Sequence, residues 1–130
     1  MEMNVRLYVF IISMILSSCA SADIRTKEIT DVYVADFGSD EPERCRPSDV
    51  DLNRKEARQF FVRSKQVGLK VIHDYYDYAP CYIEGTLKYK SKPCNWEIRA
   101  GATGHIVCGK QTQYFVCDSC DDLFKPKKLR

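Results

Sequence analysis

The sequence predicts an α+β domain stapled by disulfides, with one N-terminal helix packed on a four-stranded antiparallel meander. Three observations predict it. Residues 48–71 place apolar side chains on one helical face, residues 82–117 alternate apolar and polar in four short runs, and six cysteines are spread through and around these blocks. A sheet with one apolar face needs a cover, and the helix supplies it.

The helix begins after Pro47, where Ser48 or Asp51 can accept hydrogen bonds from the first-turn amides. Leu52, Ala57, Phe60, Phe61, Val67 and Val71 then keep to one side at 3.6 residues per turn, and Arg54, Lys55, Arg58, Arg63, Lys65 and Lys70 fill the other. Gly68 ends or bends it. Residues 73–81 form a connector, because Pro80 cannot continue a helix and drives Ala79 to extended backbone. The strands are Tyr82–Lys90, Cys94–Ala100, Thr103–Cys108 and Gln111–Cys117, with turns at Lys90–Pro93, Gly101 and Gly109-Lys110. Upstream, residues 23–47 are polar and aperiodic and read as a tether with a short strand at 31–35.

The chain opens on an export signal. Arg6 precedes the apolar run Leu7–Leu16, and small residues follow at Ser17–Ala22. The run is shorter than the roughly 20 apolar residues of a membrane span. Two exits are written in it. Ala20-Ser21-Ala22 directs cleavage before Asp23, making residues 1–22 the leader. Leu16-Ser17-Ser18-Cys19 instead resembles a bacterial lipobox, which makes the leader 1–18 and Cys19 the acylated first residue. The lipobox is the favoured reading, and an acyl chain would hold the domain at a membrane.

Either exit removes Cys19 from the thiol pool and leaves Cys45, Cys81, Cys94, Cys108, Cys117 and Cys120, an even number suited to three disulfides in an oxidising compartment. A hairpin turning at Gly101 sets Cys94 opposite Cys108, Trp96 opposite Ile106 and Ile98 opposite Gly104, so the first pair bridges. Cys81 and Cys117 sit at the same end of a meander, which favours Cys81 with Cys117 or Cys120, and Cys45 with the other. Cys117-Asp118-Ser119-Cys120 has three readings: a redox centre, half of a zinc site with Cys94 and Cys108, or structural cysteines. Asp118, Asp121 and Asp122 oppose thiolate formation, and a second C-x-x-C is lacking, so the structural reading leads.

Composition excludes less than it permits. Twenty basic against eighteen acidic residues, a net charge of +2, lack the bias of a nucleic-acid-binding domain. The basic tail, residues 125–130, reads as a solvated terminus, with contact to lipid headgroups as the weaker reading. No G-x-S-x-G, no phosphate-binding glycine loop and no Ser-His-Asp arrangement can be argued. His73 beside Asp74 and Asp77 is a weak metal or acid–base candidate but reads first as a solvated helix end; His105 falls on the outward strand face. Glu84 and Glu97 point outward together, where Lys88 and Arg99 are available as partners. No catalytic residue, metal or cofactor follows. The best candidate surface is Tyr75, Tyr76, Tyr78 and Tyr82, because tyrosine on a connector offers contact area with a polar tip; the competing reading packs them over the open end of the core.

From Phe60 onward the chain resembles a type of small exported Gram-negative protein. The resemblance lies in Phe60-Phe61, Ala79-Pro80-Cys81, Gly85-Thr86-Leu87, Trp96-Glu97-Ile98, Gly104 and Cys117-x-x-Cys120, and covers about half of the mature chain. It implies a bacterial envelope protein and brings no activity with it. The expectation is therefore a non-catalytic envelope binding module for a protein partner, inhibitor-like or immunity-like, directed at an exported enzyme or toxin. A structural lipoprotein and a redox accessory are the alternatives.

Overall fold

The protein is described by a computed structural model over residues 27–125. The leader and Cys19 therefore lie outside the described residues, as does the basic tail beyond Lys125. Strand β1 (Ile29–Ser39) comes first, followed by 3-10 turns at Pro42–Arg44 and Pro47–Val50. Helix α1 (Arg54–Arg63), β2 (Lys65–Val67) and α2 (Leu69–Tyr75) precede the meander β3 (Cys81–Tyr89), β4 (Lys92–Arg99), β5 (Thr103–Cys108) and β6 (Gln111–Val116), and α3 (Asp121–Phe124) follows it. The sheet has six antiparallel strands in the order β1-β3-β4-β5-β6-β2.

The meander β3–β6 forms as expected, and its register is the one expected for the second hairpin, with Trp96 opposite Ile106 and Ile98 opposite Gly104. Two strands extend it at the edges, and the helix is not N-terminal. The short strand expected at 31–35 is present but longer: residues 29–39 of the expected tether are β1, paired along its length with β3. Its buried Ile29 and Val32 lie three apart because the register shifts between Thr30 and Tyr33, with Asp31 at φ 51°, and again between Val34 and Asp36. The two bulges interrupt the period-2 pattern that would mark the strand's full length.

The expected single helix is divided. Asn53 caps α1 through a reciprocal box with Glu56: Asn53 Oδ1 accepts from the Glu56 amide at 2.8 Å and Glu56 Oε1 from the Asn53 amide at 3.2 Å. Ser48 lies instead in the second 3-10 turn. Ser64 ends α1 in extended backbone, its hydroxyl donating to the Phe60 carbonyl at 2.6 Å. The chain then pairs Lys65–Val67 with Tyr114–Val116 before α2 restarts at Leu69.

Ala57, Phe60 and Phe61 are the buried face of α1. Phe61 meets Trp96 at 5.9 Å and Phe115 at 5.6 Å between centroids, both edge-on, and Phe60 meets Phe61 at 5.2 Å. Each such ring contributes about 1.5–3 kcal/mol by burial. Two glycines make room for this packing. A Cβ on Gly104 would lie 2.7 Å from the Glu97 carbonyl oxygen and 3.0 Å from the Phe60 ring; one on Gly85 would run into the Tyr33 carbonyl of β1 and the Trp96 indole.

Three disulfides close the domain. Cys94–Cys108 joins β4 to β5 with Cα atoms 4.6 Å apart, as the register requires. The other two pairings correct the expectation: Cys45 joins Cys81, with Cα atoms 5.6 Å apart, and Cys117 joins Cys120, with Cα atoms 5.5 Å apart. Strands β3 and β6 are separated by β4 and β5, so at about 4.8 Å per interstrand step Cys81 and Cys117 are too distant to bridge. Ser39, by contrast, pairs with Cys81, and the turn after β1 brings Cys45 back to it.

Two outcomes follow. Gly85→Ala lowers the free energy of unfolding by about 3 kcal/mol, read as a lower urea midpoint at unchanged slope, whereas Gly68→Ala, whose Cβ meets nothing within 4 Å, stays within about 0.5 kcal/mol. Replacing Cys94 and Cys108 together by alanine opens a 14-residue separation and costs about 3 kcal/mol in the same assay.

Candidate functional site

Helix α1 takes the inner face of the sheet, so the outward residues of β4, β5 and β6 are left for another use. Alternation puts Glu97, Arg99, His105 and Tyr114 there, and pairing aligns Glu97 with His105 and His105 with Tyr114. Helix α2 and the connector after it stand over these residues. Between them lies a cleft of about 430 Å³, walled by Ile72, Tyr76 and Tyr78 and floored by Arg99, His105 and Tyr114.

Arg99 organises the floor. Its Nε donates to Glu97 Oε2 at 3.1 Å, and its Nη1 donates to Asp40 Oδ2 and to the Ala79 carbonyl, each at 3.0 Å. Its guanidinium lies 5.3 Å from the Tyr78 ring centroid and 4.9 Å from that of Tyr82. Burial works against its charge, yet Glu97 and Asp40 outweigh burial and hold its pKa above the ordinary value. Glu97 also meets His105 Nδ1 at 3.6 Å, and the His105 ring is edge-on to Tyr114.

The connector is strapped at both ends. The Tyr76 hydroxyl donates to Asp118 Oδ1 at 2.6 Å, and Asp118 also pairs with Lys65 at 3.0 Å. The Tyr78 hydroxyl donates to Asp40. These bonds lower the carboxyl pKa values, that of Asp40 through Tyr78 first and Arg99 second, and that of Asp118 through Tyr76 first and Lys65 second. The same bonds raise the phenol pKa values of Tyr76 and Tyr78.

The four tyrosines singled out from sequence divide by role. Tyr75 and Tyr78 stand open at 80% and 67% exposure. Tyr76 and Tyr78 line the cleft, and Tyr82, on β3, lies with its ring over Gly38 and beside Arg99. The remaining candidates separate as well. His73 lines the cleft mouth and meets Asp74 at 3.2 Å. Glu84 and Glu97 stand opposite one another; Arg99 joins Glu97 as expected, while Lys88 joins Asp31 of β1 at 3.3 Å. Cys117 and Cys120 are buried, which seals the C-x-x-C, and each of the four cysteines considered for zinc is bonded to another. Sulfurs of Cys45 and Cys81 approach Asp49, but a disulfide offers a metal no thiolate.

Sequence reasoning missed the assembly of the floor. The outward alternation of Glu97, Arg99 and His105 was the available signal; Asp40 and Asp118, which anchor the connector, lie in segments read as a tether and as a disulfide loop. Chemically the site offers aromatic walls over a mutually neutralised ionic floor, with the Asp77 carboxylate at its edge. No protein-family model, curated protein or solved structure matches the chain.

The straps set a pH window. Lowered Asp40 and Asp118 stabilise the fold fully above the ordinary carboxyl value of 3.8 and lose that effect as pH falls through their folded values. Raised Tyr76 and Tyr78 stabilise it fully below 10.0 and lose the effect as pH rises through their folded values. Ultraviolet titration should therefore show two phenols ionising after the rest, both removed by Tyr76→Phe with Tyr78→Phe. Two phenols that titrate with the others would refute the straps.

Proposed function

We propose that this protein is an exported envelope module that binds a protein partner and performs no chemistry on it, in the manner of an inhibitor or immunity protein facing an exported enzyme or toxin. One observation carries the reading. Tyr75, the last residue of α2, and Tyr78, on the connector and fastened to Asp40, stand exposed beside a cleft whose ionic floor is already paired. Tyrosine has few side-chain torsions to lose when covered, and one already fastened, as Tyr78 is, loses less, which suits contact residues at interfaces. A paired floor supplies orientation without an activated nucleophile or a free general base.

Export and placement in the envelope rest on the leader, the even count of six further cysteines and the resemblance carried by Phe60-Phe61, Pro80-Cys81, Trp96-Glu97-Ile98 and Cys117-x-x-Cys120. Cys19 is proposed as the acylated residue. Among the described residues no helix is long and apolar enough to cross a membrane.

Two outcomes test it. Affinity capture from envelope extracts should recover a stoichiometric protein, and Tyr75→Ala with Tyr78→Ala should weaken it at least tenfold, as truncation of interface anchors does; undiminished capture would reject the tyrosine surface. Cys19→Ser should shift the protein from the membrane fraction to the soluble one, and unchanged fractionation would reject the anchor.

A further inference from the structure

The near-balanced net charge of +2 leaves lysines gathered at one end of the strands. At the cleft end the acids are answered: Asp40 pairs with Arg99 and Asp118 with Lys65. The opposite end is built from the β3–β4 turn, the β5–β6 turn and the start of β1, and it carries Lys27, Lys88, Lys90, Lys92 and Lys110, all exposed. Pairing fixes this grouping: Ile29 lies opposite Tyr89, Lys90 donates its amide to the Glu28 carbonyl at 2.9 Å, and Cys108 pairs with Gln111 around Lys110. Among the described residues Glu28 pairs with Lys90 at 4.0 Å and Asp31 with Lys88 at 3.3 Å.

Three further features belong to this end. Between the two turns lies a groove of about 590 Å³ lined by Tyr89, Lys90, Lys92, Gln111 and Gln113. Gln113 Oε1 is buried there without a hydrogen-bond partner among the described residues. Lys90 and Ser91 hold φ values of 51° and 66° at the tip of this hairpin, positions that Asn or Gly adopt with less strain. Finally, the leader-bearing N-terminal segment joins the domain at Lys27, on this same end.

We infer that the lysine end is a membrane-apposed surface that binds anionic lipid headgroups, with the tyrosine cleft held at the far end of the strands. The lysines neutralise the surface, the groove admits a headgroup, and Tyr89 supplies an aromatic body with a polar tip suited to the interface. Seven residues separate Lys92 from Arg99 along β4, so the cleft stands about 23 Å from the bilayer contact. Lys125 follows α3, whose Phe124 ring stands edge-on to Phe60 beyond the end of β6.

The test uses the full chain with vesicles of phosphatidylcholine, with and without phosphatidylglycerol, so that insertion of the leader is common to both. Partition onto the anionic vesicles should exceed that onto the neutral ones and collapse toward it in high salt. Lys92→Gln with Lys110→Gln removes two lysines that take no part in the ion pairs described above and should reduce the anionic excess by about fivefold per lysine. Lys70→Gln, on α2, should leave it unchanged, and an unaltered circular dichroism spectrum confirms folding. Equal partition onto the two vesicle types, or an excess that survives the lysine changes and disappears only when residues 126–130 are deleted, would overturn the inference.

Discussion

The packing of Phe60 and Phe61 against Trp96 and Phe115 is the constraint from which the rest of the molecule follows. It commits the inner face of the sheet to α1 and demands Gly104 beneath Phe60. With that face filled, charged and aromatic residues of β4–β6 are turned to the other side, where α2 and its connector can only partly cover them. The cleft is therefore a consequence of how the core is closed. Its floor survives half-buried because Arg99, only 22% exposed, is surrounded by Glu97, Asp40 and the Ala79 carbonyl.

The same closure gives the domain two unlike ends. At one end β1 finishes, β3 begins and the connector is tied by Tyr76 and Tyr78 to carboxylates from distant segments. At the other end β1 begins and the two hairpin turns present lysine. Arg63 reaches from the end of α1 to Asp122 at 2.8 Å, anchoring α3 at the first end.

The meander was legible because alternation in residues 94–100 is unbroken and the Cys94–Cys108 pair admits one register. Strand β1 was legible only in its middle, as the short strand expected at 31–35; the bulges at Asp31 and near Val34 hid its full length. The unread end of the strand also hid the partner of Cys81, since Cys45 is brought to it by the pairing of Ser39 with Cys81. Helix α1 appeared too long because Val67 and Val71 continue its spacing; the Ser64 hydroxyl on the Phe60 carbonyl, a contact no spacing reveals, ends it. The tyrosines were legible as candidates from their crowding on one connector. Their bonds to Asp40 and Asp118, 38 and 42 residues away, depend on the completed fold.

Hydrogen–deuterium exchange of the protein alone and with the protein partner proposed above tests the central claim most directly. The account predicts new protection over Tyr75–Tyr82 and at Arg99–His105, with the β3–β4 turn at Lys90–Lys92 unchanged. Protection confined to the lysine turns or to the β1 edge, with the connector as open as in the free protein, would contradict it.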